Sequence, residues 1–195
     1  ILNAPLPTVT ASYSGFVLGE GPGALQGALT LTTSATASSP VGTYTITPSG
    51  LTSQNYTITF VAGSLAIIYA PAGTACLGEP GHGILPPVRA DGASVFKQGS
   101  TVPAKFRACD ANGLSIATPG VVSSFRLTQM VSGTVTDVVD ISVDSTTPDA
   151  FFRWDPSAQQ WIFNISTKNL TANITYFYRI TLNDGSVIDF RYGLK

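Results

Sequence analysis

The stretch that decides the fold is residues 176–192, which read YFYRITLNDGSVIDFRY. Two runs that alternate between apolar and polar side chains lie on either side of the turn sequence Asn183-Asp184-Gly185. Alternation with a period of two is typical of a β-strand with one buried face, and an Asp-Gly pair between two such runs is typical of a β-hairpin. We therefore expect an antiparallel hairpin here.

The length of the turn decides which residues face each other across this hairpin. A three-residue loop with Gly185 in the left-handed region places the apolar side chains on one face, whereas a two-residue Asp-Gly loop would mix the two faces. We therefore expect the longer loop. The predicted pairs are Leu182 with Ser186, Ile180 with Ile188, Tyr178 with Phe190 and Tyr176 with Tyr192 on the core face, and Arg179 with Asp189 and Phe177 with Arg191 on the solvent face.

Further alternating runs precede this hairpin. Residues 102–108 alternate between apolar and polar side chains, and Pro103 within them favours an edge strand or the start of a strand. Other runs, separated by turn sequences, predict strands at residues 122–131, 134–143, 151–154 and 161–166. About seven short strands with regular turns are typical of an immunoglobulin-like antiparallel β-sandwich.

The first third of the chain also has the pattern of β-structure. Runs in which apolar residues alternate with small polar ones, mostly threonine, predict strands at residues 8–16, 29–32, 44–47 and 56–61, and a further strand follows at residues 65–69. Glu20–Gln26 has room only for a short helical turn, because its glycines disfavour a longer helix.

The distribution of charge divides the chain into two modules. Residues 1–69 contain one charged residue, Glu20, whereas all of the lysines and arginines and every other acidic residue follow it. Residues 70–79 are rich in Pro and Gly, which is typical of a linker. We therefore expect a module of residues 1–69, a linker of residues 70–79 and a module of residues 80–195.

The overall composition excludes several classes of protein. The chain of 195 residues has a formal net charge of −1 and only 11% charged residues. It lacks the basic excess of a nucleic-acid-binding protein and the charged residues of a coiled coil. Its longest apolar run, residues 65–70, is far shorter than the ~18 residues of a membrane span. We expect no nucleic-acid partner and no membrane insertion, and we interpret a chain that begins at Ile1 as a fragment of a longer protein.

Residues 99–106, GSTVPAKF, resemble the PxKF domain, which is named after the pattern Pro-x-Lys-Phe. This resemblance covers residues 80–195, with further similar stretches at residues 152–155, 161–164, 182–186 and 193–195. The first module resembles an MBG domain, a small β-rich repeat of bacterial surface proteins, at residues 11–16, 39–44 and 55–60. A preceding strand of the MBG pattern is absent, so we expect the chain to begin inside that domain.

The two resemblances imply an exported bacterial protein, secreted or attached to the cell surface. They imply an all-β chain, in which a small β-grasp-like or β-sandwich module precedes an immunoglobulin-like antiparallel β-sandwich. Neither family has a catalytic motif that could be transferred to positions of this chain. We expect a non-catalytic structural or adhesive segment, with neighbouring repeat domains in the same chain and, if adhesive, an unknown protein or glycan ligand. The alternative is a carbohydrate- or protein-binding accessory module of a secreted enzyme.

The sequence contains no catalytic constellation. Its single histidine, His82, lies in a glycine-rich loop, where we expect it to be mobile, and a catalytic base needs a fixed orientation. A nucleophile elbow, a phosphate-binding loop and a set of metal ligands are all missing. The acidic residues lie mostly in turns, such as Asp110, Asp155 and Asp184, where Asp serves the local backbone. We therefore expect no enzymatic activity, no cofactor and no metal.

Cys76 and Cys109 are the two cysteines of the chain. An even number in an exported protein favours a disulfide, which would constrain an otherwise poorly held loop. Two buried free thiols are the alternative.

Four aromatic residues are candidate ligand contacts: Trp154, Trp161, Tyr13 and Tyr44. Across a four-residue hairpin loop the two tryptophans would face each other, and flat rings stack on sugars. The alternative is that this face is the core, because Phe152 and Phe163 extend it and four exposed rings would form a large apolar patch. Two or more exposed, coplanar rings would favour ligand binding.

Overall fold

A computed structural model describes residues 1–148 and 151–195 of the chain. It divides into two compact units, Leu2–Ile68 and Tyr69–Lys195, the second of which also includes Ile1. We call them the N-terminal unit and the C-terminal unit. Both consist of β-strands joined by turns, and the described residues form no α-helix. The prediction of an all-β protein is confirmed.

Three strands form the sheet of the N-terminal unit: β1 (Gln26–Thr33), β2 (Gly42–Thr52) and β3 (Gly63–Ile67). They pair antiparallel in the order β1-β2-β3. The first two contain the runs predicted at residues 29–32 and 44–47, and β3 overlaps the run predicted at residues 65–69. The helical turn predicted within Glu20–Gln26 is the short 3-10 turn Pro22–Ala24.

Two predicted strands of the N-terminal unit are wrong. Residues 8–16 and 56–61 are not part of any sheet, although both alternate between apolar and polar side chains. Neither stretch contains a turn or a bend, and Gly15 in the first of them has a φ of 91°. A strand needs a hydrogen-bonded neighbour as well as an alternating sequence, and within residues 1–148 and 151–195 no backbone group pairs with these two segments.

The strands of the C-terminal unit follow in chain order: β4 (Ala75–Cys76), β5 (Glu79–Pro80), β6 (Ile84–Leu85), β7 (Val95–Phe96), β8 (Thr101–Phe106), β9 (Val122–Ser132), β10 (Val135–Ser142), β11 (Arg153–Asp155), β12 (Gln160–Ser166), β13 (Thr175–Leu182) and β14 (Val187–Leu194). They form a five-stranded sheet in the order β10-β9-β13-β14-β7, a four-stranded sheet in the order β11-β12-β8-β6 and the hairpin β4-β5. The pairing of β7 with β14 is parallel, which the sequence did not predict.

An aromatic core joins the two large sheets. The ring centroids of Phe125 on β9 and Phe163 on β12 lie 5.1 Å apart in an edge-to-face arrangement. Phe152 lies between Phe106 and Phe125, with centroid distances of 5.2 and 5.3 Å. Such contacts join one sheet to the other, as in a β-sandwich. The expected sandwich architecture of the second module is confirmed.

The C-terminal hairpin has the register expected from its turn. The observed partners are Ile180 with Ile188, Tyr178 with Phe190, Tyr176 with Tyr192, Arg179 with Asp189 and Phe177 with Arg191. Gly185 has a φ of 86°, and its N–H donates to the carbonyl of Leu182 at 3.0 Å. The Leu182 N–H in turn donates to the carbonyl of Ser186 at 2.8 Å. The three-residue loop and both faces of the hairpin are therefore confirmed.

The residues predicted as a linker, 70–79, are packed into the C-terminal unit. The N–H of Ala70 donates to the carbonyl of Cys109 at 2.8 Å, and Ala70 is only 3% exposed. Cys76 forms a disulfide with Cys109, as predicted, across a Cα–Cα distance of 5.7 Å. The boundary between the units lies at Tyr69 because the disulfide and this hydrogen bond hold the Pro/Gly-rich stretch against β8 and the turn after it.

Candidate functional site

The N-terminal unit has a groove along its sheet. The groove has a volume of about 600 Å³ and is lined by residues 10–16, residues 56–63 and apolar side chains that include Leu29, Leu31 and Ile46. The two segments that line it contain most of residues 8–16 and all of residues 56–61, which were wrongly predicted as strands. The groove is therefore bounded on one side by the sheet and elsewhere by residues 10–16 and 56–62, which belong to no sheet.

The lining of this groove carries no charged side chain among its residues, all of which the structure describes. Threonine and serine hydroxyls alternate with apolar groups along both segments. A surface of this kind offers neither counter-ions for an anion nor carboxylates for a cation. It suits an uncharged, partly apolar occupant.

At one end of the groove, Tyr56 contacts residues at the end of the other lining segment. Its ring contacts Phe16 edge-to-face at 5.5 Å, and its hydroxyl donates to the Glu20 carboxylate. The same hydroxyl accepts the N–H of Val17 at 3.4 Å. The hydrogen bond to Glu20 raises the pKa of Tyr56 above its usual range. These contacts join the end of one lining segment to the start of the other.

The two tyrosines predicted as ligand contacts have different positions in the N-terminal unit. Tyr13 is 40% exposed and lines the groove. Tyr44 lies on β2, outside that lining, and its hydroxyl donates to the carbonyl of Pro40 at 2.7 Å. Tyr44 is half-buried. Of the two, Tyr13 has the more exposed ring.

The two tryptophans face each other across β11 and β12, as predicted. Trp161 is 5% exposed, and its indole N–H donates to the carbonyl of Ile116 at 2.8 Å. Trp154 is half-buried, and the two rings are inclined by 60° with their centroids 5.5 Å apart. The pair does not present two exposed, coplanar rings. The structure thus places Trp161 in the core.

His82 is not the mobile loop residue expected from its glycine neighbours. It is 6% exposed, its backbone N–H donates to the carbonyl of Arg107 at 2.9 Å, and its ring lies edge-on to Tyr69. Its Nε2 atom has no hydrogen-bond partner. Burial lowers the pKa of His82, although the nearby charge of Asp184 opposes this shift. Tertiary packing, which a loop sequence does not reveal, orders this residue.

Tyr69 and Asp184 complete the surroundings of His82. The Asp184 carboxylate accepts the backbone N–H of Tyr69 at 3.0 Å. Burial, followed by the charge of Asp184, raises the pKa of Tyr69 to about 12, so this phenol stays neutral at physiological pH. Because Tyr69 and His82 are both buried, their polar atoms are withdrawn from solvent. This cluster packs the first residues of the C-terminal unit against its last hairpin.

The acidic residues of the turns serve the local backbone, as predicted. The Oδ1 atom of Asp110 accepts the N–H groups of Asn112 and Leu114 at 2.9 and 3.0 Å. Asp184 accepts the N–H of Ser186 at 2.9 Å in the same way. Across residues 1–148 and 151–195, the His, Cys, Asp and Glu side chains form no group of three that could hold a metal ion.

The N-terminal unit matches a known protein family. Residues 2–66 match the MBG domain (YGX type). The match supports the resemblance expected from the sequence and indicates a repeat module of bacterial surface proteins for this unit. The match ends before the C-terminal unit, so the resemblance of that unit to the PxKF domain stays a prediction.

Two further findings are not confined to the N-terminal unit. No curated protein matches it. None of the helical segments within the described residues is long and apolar enough to cross a membrane.

Proposed function

We propose that the chain is a non-catalytic segment of an exported bacterial surface protein and that it spaces or presents other domains. The match of residues 2–66 to the MBG domain carries this proposal, because that domain is a repeat of surface proteins. The disulfide adds support, since such bonds persist in oxidising compartments outside the cytosol.

The way in which the C-terminal unit holds its two chain ends suits a spacer. Its first residues are held by the hydrogen bond from Ala70 to Cys109 and by the disulfide of Cys76. Its last residue, Lys195, donates its N–H to the carbonyl of Phe96 at 2.9 Å and accepts the N–H of Gln98 at 2.9 Å. In a spacer, such contacts would hold residues 70–76 and Lys195 in place.

The alternative, a carbohydrate-binding accessory module, has less support from the aromatic residues. Trp161 is buried and hydrogen-bonded, and the Trp154 ring is inclined to it rather than coplanar. A sugar-binding platform needs exposed, aligned ring faces. The tryptophans therefore favour a structural role for this face.

A replacement experiment tests the proposal. In the parent protein, residues 1–195 are deleted or exchanged for an unrelated β-sandwich spacer of similar length. A spacer role predicts that deletion lowers antibody access to a distal epitope on intact cells and that the unrelated spacer restores it. Restoration of cell adhesion only by the original chain would favour an adhesive role instead. Protection of the chain from added protease on intact cells would contradict a surface location.

A further inference from the structure

The five-stranded sheet of the C-terminal unit has an open pocket of about 390 Å³ on its solvent face. The pocket is lined by residues of β9, β13 and β14 and by residues 90–91, which belong to the loop between β6 and β7. All of these residues lie within the C-terminal unit. The volume is within the range of sites that bind small molecules.

Three side chains of this lining lie in one row across the sheet. Phe177 on β13 pairs with Gln129 on β9 and with Arg191 on β14. The Arg191 guanidinium lies 5.5 Å from the centre of the Phe177 ring, within the range of a cation–π contact. The row therefore places an aromatic ring between an amide and a guanidinium.

Arg191 is the guanidinium of this pocket that has no carboxylate partner. The Asp189 carboxylate accepts hydrogen bonds from Arg179 at 2.8 and 2.9 Å. The Asp91 carboxylate accepts one from Nε of Arg89 at 3.1 Å. Within the part of the chain that the structure describes, the Arg191 guanidinium forms no hydrogen bond and no ion pair. Both carboxylates of the lining are thus already paired, and one positive charge is left over.

Gly92 leaves the space in which the Arg191 side chain lies. A Cβ at position 92 would be 2.6 Å from Cγ of Arg191 and closer still to its Nε. Gly92 also has a φ of 76°, which side chains other than hydrogen disfavour. The Phe177 ring and the backbone of Gly92 therefore constrain the Arg191 side chain before any ligand binds. Such preorganisation reduces the entropic cost of binding.

We propose that this pocket binds a small ligand through a single carboxylate group, which pairs with the Arg191 guanidinium. Guanidinium and carboxylate groups can form two parallel hydrogen bonds. A single negative charge fits better than a phosphate dianion, because Asp91 and Asp189 line the same pocket and would repel a second charge. The uncharged part of the ligand lies towards Phe177 and Gln129. This inference goes beyond the spacer role, because it assigns the C-terminal unit a ligand.

A carboxylate can belong to an acidic sugar or to an acidic side chain of a peptide, so the test uses one probe of each kind. D-glucuronate is compared with D-glucose, and the α-amide of N-acetylglutamate is compared with that of N-acetylglutamine, which lacks the charge. An NMR titration of the oxidised full chain follows the Nε–H resonance of Arg191. We expect at least one carboxylate to bind with a dissociation constant of about 1 mM, and its neutral counterpart to bind about tenfold more weakly or less. The carboxylate that binds more tightly identifies the kind of ligand.

Three results of this titration would overturn the proposal. One is the absence of a shift with either carboxylate at about 10 mM, ten times the expected dissociation constant. Another is equal binding of a carboxylate and its neutral counterpart, which would remove the role of the charge. The third is tighter binding of inorganic phosphate, which would show that the pocket accepts a second negative charge.

Two variants test the role of Arg191 directly, with the backbone amide resonances of β13 as the readout. Arg191→Gln removes the guanidinium, whereas Gly92→Ala keeps the charge and displaces the side chain. We expect each to weaken carboxylate binding about tenfold or more, with a melting temperature close to that of the parent. Unchanged binding by Arg191→Gln would overturn the site, and unchanged binding by Gly92→Ala would overturn the importance of the side chain's position.

Lys168→Gln is the matched control for the loss of one positive charge. Lys168 is exposed and lies outside the lining of the pocket. We expect this variant to bind the carboxylate probe as the parent does. A loss as large as that of Arg191→Gln would show that net charge alone attracts the probe, and it would contradict a defined site at Arg191.

Discussion

At the scale of single residues, Gly185 and His82 both have a positive φ. The local sequence predicts the state of Gly185 but not that of His82. Gly185 has a φ of 86° in a turn whose composition predicts it. His82 has a φ of 55° and is buried, although its loop composition predicts mobility. The difference arises because a tight turn is a local problem, whereas the burial of a loop depends on what packs against it.

Replacement of Gly185 tests the turn. Apart from the two chain neighbours, no described atom lies within 4 Å of where a Cβ would be at this position, so a side chain has space and the backbone conformation is what resists it. We expect Gly185→Val to lower the free energy of unfolding by about 1–2 kcal/mol, because a β-branched residue resists positive φ. Gly185→Asn should cost less, since Asn tolerates this region. Urea denaturation measures both, and equal stability of the Val variant and the parent would contradict the loop.

The burial of His82 predicts a pH dependence of stability. Its pKa is lowered in the folded protein, so the unfolded chain binds the proton more readily. The stability contributed by the neutral imidazole is therefore fully present above the unfolded pKa of about 6.5 and is lost as the pH falls below it. Asp184, the charged neighbour, partly offsets this loss.

The measurement is the melting temperature of the parent and of His82→Asn between pH 7.5 and 5. Asn accepts positive φ and does not titrate. We expect the melting temperature of the parent to fall more steeply towards pH 5 than that of the variant. Parallel profiles would show that His82 is solvated in the folded state.

At the scale of elements, the last hairpin separates a core face from a solvent face. Ile180 is 0% exposed on one face. On the other face the Arg179 guanidinium donates to the Asp189 carboxylate at 2.8 and 2.9 Å, and both side chains are about half exposed. The Arg191 guanidinium lies 5.5 Å from the centre of the Phe177 ring. The two faces should therefore respond very differently to truncation.

Truncation of neighbouring residues on β13 checks this difference. We expect Ile180→Ala to lower the free energy of unfolding by about 2–5 kcal/mol, because it leaves a cavity between the sheets. Arg179→Ala should cost less than about 1 kcal/mol, since an exposed ion pair contributes little and is screened by salt. Denaturation of both variants at low and high salt provides the comparison. A larger loss for the Arg179 variant would reverse the assigned faces.

The sequence also predicted two features of strand β8, its buried face and the position of its proline. In β8 the residues on one face are buried, as the alternation of residues 102–108 predicted. Pro103 lies where β8 is open on one side, because the short strand β6 pairs only with Phe106 and Lys105. An edge position tolerates the missing N–H, so the prediction from proline is consistent with the sheet.

At the scale of the whole molecule, the disulfide belongs to one unit only. Cys76 and Cys109 are separated by 33 residues, and both lie in the C-terminal unit. Both tryptophans lie there as well, so their fluorescence reports the unfolding of this unit alone. A crosslink across a loop of this length stabilises by about 3–4 kcal/mol in the chain-entropy account.

The double variant Cys76→Ala/Cys109→Ala checks this contribution. We expect its tryptophan-detected free energy of unfolding to lie about 3–4 kcal/mol below that of the oxidised parent. The reduced parent is the matched control and should resemble the variant. A thiol titration that finds two free thiols in the denatured, unreduced parent would contradict the bond itself.

The N-terminal unit marks the limit of prediction from alternating patterns. Residues 56–61 alternate more clearly than residues 29–32, yet only residues 29–32 became part of a strand, β1. Alternation reports which side chains share a face and contains no information on whether another backbone lies alongside. The groove could be found only from the structure, because its lining combines residues 10–16 and 56–63 with side chains of β1 and β2 that are far apart in the chain.

The sequence by itself determined the all-β class, the register of the last hairpin and the disulfide. Alternation and turn composition are local patterns that fix the class and the register. The disulfide followed from the presence of two cysteines, which leaves one possible pair. Only the tertiary structure decided that residues 70–79 pack rather than link, that His82 and Trp161 are buried, and that residues 8–16 and 56–61 stay unpaired. Each of these outcomes depends on contacts between residues far apart in the chain. Such contacts follow from the arrangement of whole sheets, which no local pattern specifies.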